Sequence, residues 1–157
     1  MRIRLIQIGK NQDEFIASGI DFFQKKLKHY CTFDIVVLPS TKQANKWSHE
    51  EVKKLEAELL LKSFEAKSLV CLLDERGKKY DSPQFAKQLD SWALAGKSQL
   101  DFVIGGAFGF SEAVYQRADA KISLSDMTFS HQLIRLIFLE QLYRCFTILR
   151  NEPYHHG

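Results

Sequence analysis

Apolar and polar positions along this chain repeat with two periods, and the switches between them mark out the elements. Residues 3–8, Ile-Arg-Leu-Ile-Gln-Ile, start with an arginine alternation that fades into apolar positions, which predicts a first strand. Residues 34–38 predict a second. Residues 69–73, Leu-Val-Cys-Leu-Leu, are continuously apolar, as a central parallel strand covered on both faces requires. Residues 101–104 and 121–124 complete a set of five.

Helical spacing fills the intervals. Phe15, Gly19, Phe22, Lys26 and Tyr30 make one stripe, widened by Phe23 and Leu27. Ser48 with Glu51 forms a capping box ahead of Val52, Leu55 and Leu59. Ser82 is an N-cap followed by Pro83, leading into Phe85, Leu89 and Trp92. Ser111 is placed to cap a short helix reaching residue 118. Ser130 is placed to cap the longest late helix, which should stop before Pro153. Strand–helix alternation of this kind predicts an α/β fold, one mainly parallel sheet with helices on both faces. No internal repeat breaks the pattern, and the polar residues 40–47 predict a mobile loop.

At 157 residues the chain fits a single domain spanning residues 1–157. A chain of this length buries roughly 68–70% of its unfolded surface, so its core needs no disulfide or metal. Cys31, Cys71 and Cys145 are far apart, without a C-x-x-C pair, and read as unpaired thiols of a reducing compartment. No metal-ligand spacing is present. No apolar run approaches the about 18 residues of a membrane span, and the first ten residues are too polar for a signal peptide. A cytoplasmic protein without membrane contact is the expectation. Net charge is only +3, although residues 1–30 hold six Lys/Arg against three Asp/Glu. That distribution is compatible with RNA binding and equally with an ordinary solvated surface.

In sheets of this type ligands bind beyond the carboxyl ends of the strands. Three such ends carry unusual sequence: Leu73-Asp74-Glu75-Arg76-Gly77-Lys78, Gly105-Gly106-Ala107-Phe108-Gly109, and Leu124-Ser125-Asp126-Met127-Thr128-Phe129. Glycine lets backbone approach a ligand closely, and the Met- and Phe-containing loop offers surface suited to an adenine ring. The spacing is neither G-x-G-x-x-G nor a Walker motif, which disfavours a dinucleotide or mononucleotide phosphate site. A tight turn and plain core packing account for the same residues. Further on, His131 and Arg135 share a helix face, as do Glu140 and Arg144, the latter reading as a surface ion pair. The chain closes Glu152-Pro153-Tyr154-His155-His156-Gly157, so these aromatics are either idle in a frayed end or held at a site.

Four ordered blocks carry a resemblance: Gly105-Gly106-Ala107-Phe108-Gly109; Leu124-Ser125, Met127-Thr128-Phe129, His131-Gln132 and Arg135; Glu140-Gln141-Leu142-Tyr143-Arg144; and Pro153-Tyr154-His155. Together they resemble the bacterial large-subunit ribosomal RNA pseudouridine N3-methyltransferases, the RlmH family of the SPOUT class. The resemblance spans the chain in length and element order. It is weak over residues 10–65, moderate around Leu73-Asp74 and Gly77-Lys78, and specific from Gly105 onward. One departure is Ser130, where the family often has proline; a serine N-cap can start the helix equally well.

The resemblance implies an S-adenosylmethionine site formed by Leu73, Gly105, Leu124, Ser125, Asp126, Met127, Thr128 and Phe129. It implies a C-terminal trefoil knot, a homodimer, and methylation of a pseudouridine in the helix 69 hairpin of 23S rRNA within the 70S ribosome. Tyr154, His155 and Arg144 become the catalytic candidates, with His131 and Arg135 contacting RNA or orienting the site. Lys10, Lys25, Lys26 and Lys28 are candidate RNA contacts. Three other readings stay open: a SPOUT enzyme for transfer RNA, a binding module without turnover, and a flavodoxin-like redox domain.

Overall fold

The computed structural model describes residues 1–41 and 45–157. Its elements alternate: β1 (Arg2–Ile8), α1 (Glu14–Leu27), β2 (Thr32–Leu38), α2 (His49–Ser63), β3 (Leu69–Lys79), α3 (Ser82–Leu94), β4 (Gln99–Ile104), α4 (Glu112–Arg117), β5 (Ala120–Ser123) and α5 (Leu133–Leu149). The strands form one sheet in the order β2-β1-β4-β3-β5, every neighbouring pair parallel. The expected polar loop at 40–47 includes residues 42–44, which lie outside the described residues.

Strand alternation sends side chains to both faces. Ile3, Leu5 and Phe102 point toward Phe138, Leu139 and Leu142 of α5 and toward α1 and α3. Ile6, Ile8 and Val103 point the other way, onto Ala57 and Leu60 of α2 and Val114 of α4. The helices therefore cover both faces, as strands this apolar require.

The α1 stripe is rotated from its expected phase. Ile16, Ile20 and Leu27 are buried, whereas Phe15 and Phe22 stay 68% and 54% exposed. The cause is tertiary: a Cβ on Gly19 would lie 2.7 Å from Leu136 Cδ1, so the glycine marks where α1 meets α5. The α3 cap is one residue earlier than expected. Asp81 accepts from Gln84 N at 2.7 Å while the Gln84 side chain accepts from Asp81 N at 3.0 Å, a complete capping box. The Ser82 hydroxyl instead donates to Gln141 Oε1 on α5, at 2.6 Å.

The other caps divide. The Ser48–Glu51 box forms as expected. Ser111 precedes α4, but its buried hydroxyl makes no cap bond and has no partner among the described residues. Ser130 Oγ accepts from Leu133 N at 3.2 Å, capping the turn that leads into α5.

β3 is longer than its apolar run. Leu73 and Lys78 both face Ile122 of β5, so residues 74–77 loop out at the sheet rim and the strand then resumes pairing. Gly77 permits this, because a Cβ there would lie 2.5 Å from Ile122 N and 2.6 Å from Ile122 Cα. Backbone cannot yield as a side chain can. Gly77→Ala should cost about 1–3 kcal/mol, the range for overpacking. Urea unfolding measures it, and a midpoint equal to that of wild type would refute the close approach.

Candidate cofactor cleft and catalytic cluster

The carboxyl ends of β3, β4 and β5 open onto a cleft of about 690 Å³. All eight residues assigned to the cofactor line it: Leu73, Gly105, Leu124, Ser125, Asp126, Met127, Thr128 and Phe129. The volume falls within the about 300–1,000 Å³ of ordinary small-molecule sites. Leu73, Leu124 and Phe129 are half-buried, whereas Met127 projects outward at 78% exposure.

Each loop is braced. The 124–129 loop turns on itself: Ser123 Oγ donates to Ser125 O at 3.1 Å, and Ser125 Oγ accepts from Met127 N at 2.9 Å. The Tyr115 hydroxyl on α4 donates to Asp74 Oδ2 beside the first loop, and Asp74 Oδ1 accepts from Arg76 N at 2.8 Å. Burial and that carboxylate together push the Tyr115 phenol up to about 12. Phe110 packs edge-on to Tyr115 at 5.8 Å, and a Cβ on Gly105 would strike its ring at 2.9 Å. Glu56 Oε2 accepts from Gly106 N at 3.2 Å from behind the cleft, and His49 stacks on Phe108 at 3.8 Å.

His131 is exposed at the edge of the same cleft. Arg135 is not on the surface. It is 2% exposed, and its guanidinium donates to Ile8 O at 2.7 Å, Lys10 O at 3.0 Å and Asn11 Oδ1 at 3.1 Å. Of the two expectations for Arg135, contacting RNA or orienting the site, its burial favours the second. Its Nη1 and Nη2 donors tie the start of α5 to the end of β1, its buried Nε has no partner among the described residues, and burial lowers its pKa from the usual arginine value.

Tyr154, His155 and Arg144 lie outside the cofactor cleft and form a second group around Glu140. Glu140 Oε1 accepts from Arg144 Nη2 at 2.6 Å, Arg144 Nε at 3.1 Å and the Tyr154 hydroxyl at 3.1 Å. Arg144 Nη1 lies 3.1 Å from His155 Nδ1, and its guanidinium stacks 4.8 Å over the Tyr154 ring. The Glu140–Arg144 pair, expected at the surface, is a half-buried hub with side chains 23% and 25% exposed. The tail is not frayed: Glu152 N donates to Thr147 O at 2.9 Å, and the Tyr30 hydroxyl donates to Glu152 Oε2 at 2.5 Å. His155 borders a second cavity of about 510 Å³ with Tyr80, Ser82 and Gln141. Ile122, Ser123 and Leu124 face both cavities, so one strand end separates them.

The family model described as "Predicted SPOUT methyltransferase" matches residues 1–155. The chain is 47% identical over 156 residues to "Ribosomal RNA large subunit methyltransferase H" of Flavobacterium johnsoniae, covering 99% of both chains. It is 47% identical over 156 residues to the protein of that name from Parabacteroides distasonis, and 42% over 158 residues to that of Acetivibrio thermocellus, again covering 99% of each.

This chain belongs to the SPOUT methyltransferases. Within them it belongs to the branch of ribosomal RNA large subunit methyltransferase H. A solved structure described as a probable methylase family protein from Haemophilus influenzae shares the fold, with a TM-score of 0.56 at 15% identity, covering 99% of this chain and 70% of that one.

In this SPOUT chain the contacts of the cluster limit what each candidate offers. Arginine only donates, so at this contact His155 Nδ1 is the acceptor, which leaves Nε2–H as the ring's donor. Tyr154 is raised from the usual phenol value, chiefly by burial and then by Glu140, so it stays protonated. The bond to Glu140 raises Arg144 and keeps it cationic. Burial pushes the Cys31 thiol up to about 11 and Cys145 to about 12, and raises Cys71 as well, which leaves no thiolate for nucleophilic work.

Sequence reasoning missed Glu56, Phe110, Tyr115 and the second cavity. Glu56 had a signal: a carboxylate between Leu55 and Ala57 on the helix face that carries Val52 and Leu60. The Tyr115–Asp74 bond spans 41 residues and left no local trace.

Proposed function

We propose that this chain uses S-adenosylmethionine to methylate N3 of a pseudouridine in helix 69 of 23S rRNA, acting as a cytoplasmic homodimer on the assembled 70S ribosome. The observation that carries the cofactor reading is the convergence of the eight residues from three strand ends on one cleft. The rRNA substrate rests on full-length likeness to relatives named for that activity. Apolar side chains and close glycine backbone suit an adenosine, while the Ser125–Met127 turn exposes polar backbone for a ribose or carboxylate.

Bound there, S-adenosylmethionine supplies an electrophilic methyl group, and the chain supplies placement. Holding two reactants in line is worth about 7–11 kcal/mol of barrier. The pseudouridine imide must lose its N3 proton. Cationic Arg144 and the Nε2–H donor of His155 favour the resulting anion, since an opposite charge and a hydrogen bond both stabilise an ionised group. No side chain of the cluster is a free base, so solvent takes the proton in this scheme. His131 stands at the cleft edge to orient the 124–129 loop.

The homodimer is supported by the exposed Phe15 and Phe22 on α1 and by half-buried Leu133, Leu136 and Ile137 on α5, more apolar surface than a lone helix pair needs. The trefoil threading belongs to the same proposal. Its support is that the chain leaves β5 at the sheet edge and returns through residues 124–129 to pack α5 against α1 and α3.

Methyl transfer from labelled cofactor to 70S ribosomes lacking the modification tests the reading, with the labelled nucleotide identified by mass. Label on one large-subunit pseudouridine is expected; label on transfer RNA alone would overturn the substrate. Naked 23S rRNA should react at least about tenfold more slowly than 70S particles, the factor about 1.4 kcal/mol of missing contacts gives. Equal rates would refute the need for an assembled ribosome.

A further inference from the structure

Glu56 is a buried carboxylate that the proposed chemistry does not employ. It sits in the middle of α2 at 7% exposure, on the face that carries Val52, Ala57 and Leu60. A carboxylate in such surroundings is costly unless something holds it. Its bond from Gly106 N, at 3.2 Å, is to the second residue of the glycine loop that closes the cofactor cleft. Burial raises the Glu56 carboxyl above the usual range, and the Gly106 N–H partly offsets this.

A second observation concerns shape. A Cβ on Gly106 would lie 2.5 Å from Glu56 Oε2 and 2.8 Å from Cδ, so the carboxylate occupies the space that any larger residue would need. The absence of a side chain at residue 106 and the presence of a carboxylate at residue 56 are two halves of one fit. A third contact lies at the start of the same helix, where the His49 ring stacks on Phe108 at 3.8 Å and 16° between planes. α2 thus grips the 105–109 loop at two points about seven residues apart, close to two helical turns. From the cleft side the loop is held by Phe110 against Gly105.

We propose that Glu56 is a positioning residue that sets the Gly105–Gly106 backbone for the cofactor, acting through Gly106 rather than touching the ligand. The inference rests on the reading of the cleft as a S-adenosylmethionine site. Without Glu56 the Gly106 N–H loses its buried acceptor and the loop loses the object that fixes its height above α2. The ligand then has to order the loop on binding, which lowers affinity and leaves the methyl-transfer step little changed.

The test is calorimetric binding of S-adenosylmethionine to the full chain as wild type, E56A, E56Q, G106A and G106A/E56A, with circular dichroism and melting recorded on each. E56A should bind roughly tenfold more weakly, the factor that about 1.4 kcal/mol corresponds to. E56Q keeps an acceptor oxygen at the same reach and should bind within about threefold of wild type, as a retained neutral hydrogen bond allows. G106A should weaken binding about as much as E56A, because the added Cβ displaces the Glu56 carboxylate, the movable end of a side chain, from the loop. In the E56A background the same substitution should cost much less, because the carboxylate it strikes is gone.

In turnover on ribosomes, E56A should raise the KM for the cofactor with kcat nearly unchanged, a split that general destabilisation would not produce. Wild-type-like binding by E56A would overturn the inference, as would strictly additive effects in the Gly106–Glu56 cycle. If E56A does not fold, E56Q and G106A carry the same decision: tight binding by G106A would overturn it. Failure of the wild type itself to bind S-adenosylmethionine would overturn the reading of the cleft and this inference with it.

Discussion

Arg144→Ala should lower methyl transfer to 70S ribosomes by about 10²–10³-fold, the range for removing one donor aimed at developing charge. Cofactor affinity should stay near wild type, since Arg144 does not line the cofactor cleft. The size of the effect follows from what one guanidinium holds. It donates twice to Glu140, stacks on Tyr154 and donates to His155 Nδ1. Its loss removes a cation, frees the histidine to change tautomer, and leaves Glu140 with only the neutral donors Tyr154 and Gln141. Arg144→Lys should recover little, because one ammonium cannot reproduce the planar fork that meets Glu140 and His155 together. Single-turnover transfer with saturating cofactor is the measurement, and a rate within about threefold of wild type, a difference too small for a lost charged hydrogen bond, would remove the cluster from the chemistry.

Asp101→Ala should destabilise the fold by about 3–5 kcal/mol, the usual result of stranding one partner of a buried ion pair. Asp101 is fully buried on β4 and accepts from Arg4 Nε and Nη2 on β1, both at 2.8 Å. The two residues are direct register partners in neighbouring parallel strands. Arg4 also donates to Ser63 O at 2.9 Å, so the pair ties the end of α2 to the sheet. Once Asp101 is gone, the remaining guanidinium is 9% exposed with one carbonyl and the more distant Glu65 for company. Urea unfolding of Asp101→Ala beside a double apolar replacement, Arg4→Met with Asp101→Leu, separates desolvation from attraction. The double variant should recover most of the loss, and a single variant as stable as wild type would show that the pair contributes nothing. The pair lies at the amino ends of the strands, away from the cleft, so folded Asp101→Ala should still bind cofactor.

These two expectations differ in how they could be reached. Arg144, Tyr154 and His155 were candidates from sequence because they stand in blocks resembling a family, and Glu140 is one helical turn from Arg144. That the tail folds back so that Tyr154 meets Glu140 and His155 meets Arg144 is a result of the turn after α5, where Asn151 takes φ 54° and Glu152 bonds to Thr147 and Tyr30. Arg4 and Asp101 are 97 residues apart, and nothing local joins them.

Local physics decided the strand–helix order, the continuous apolar β3, the capping box at Ser48 and the three strand ends where a ligand would sit. Those features depend on periodicity and backbone freedom over a few residues, which the sequence states directly. The phase of α1, by contrast, was settled by α5: Leu136 closes on Gly19, and Phe15 and Phe22 turn outward. Arg135 was settled by the end of β1, whose carbonyls take up the guanidinium that a helix-face argument leaves free for RNA. The cap of α3 moved because Gln141 claims Ser82. Each of these outcomes is a competition between partners distant in sequence. A side chain's own type sets what bonds it can make, and only the packing of the sheet against its helices decides which partner is near enough to make them.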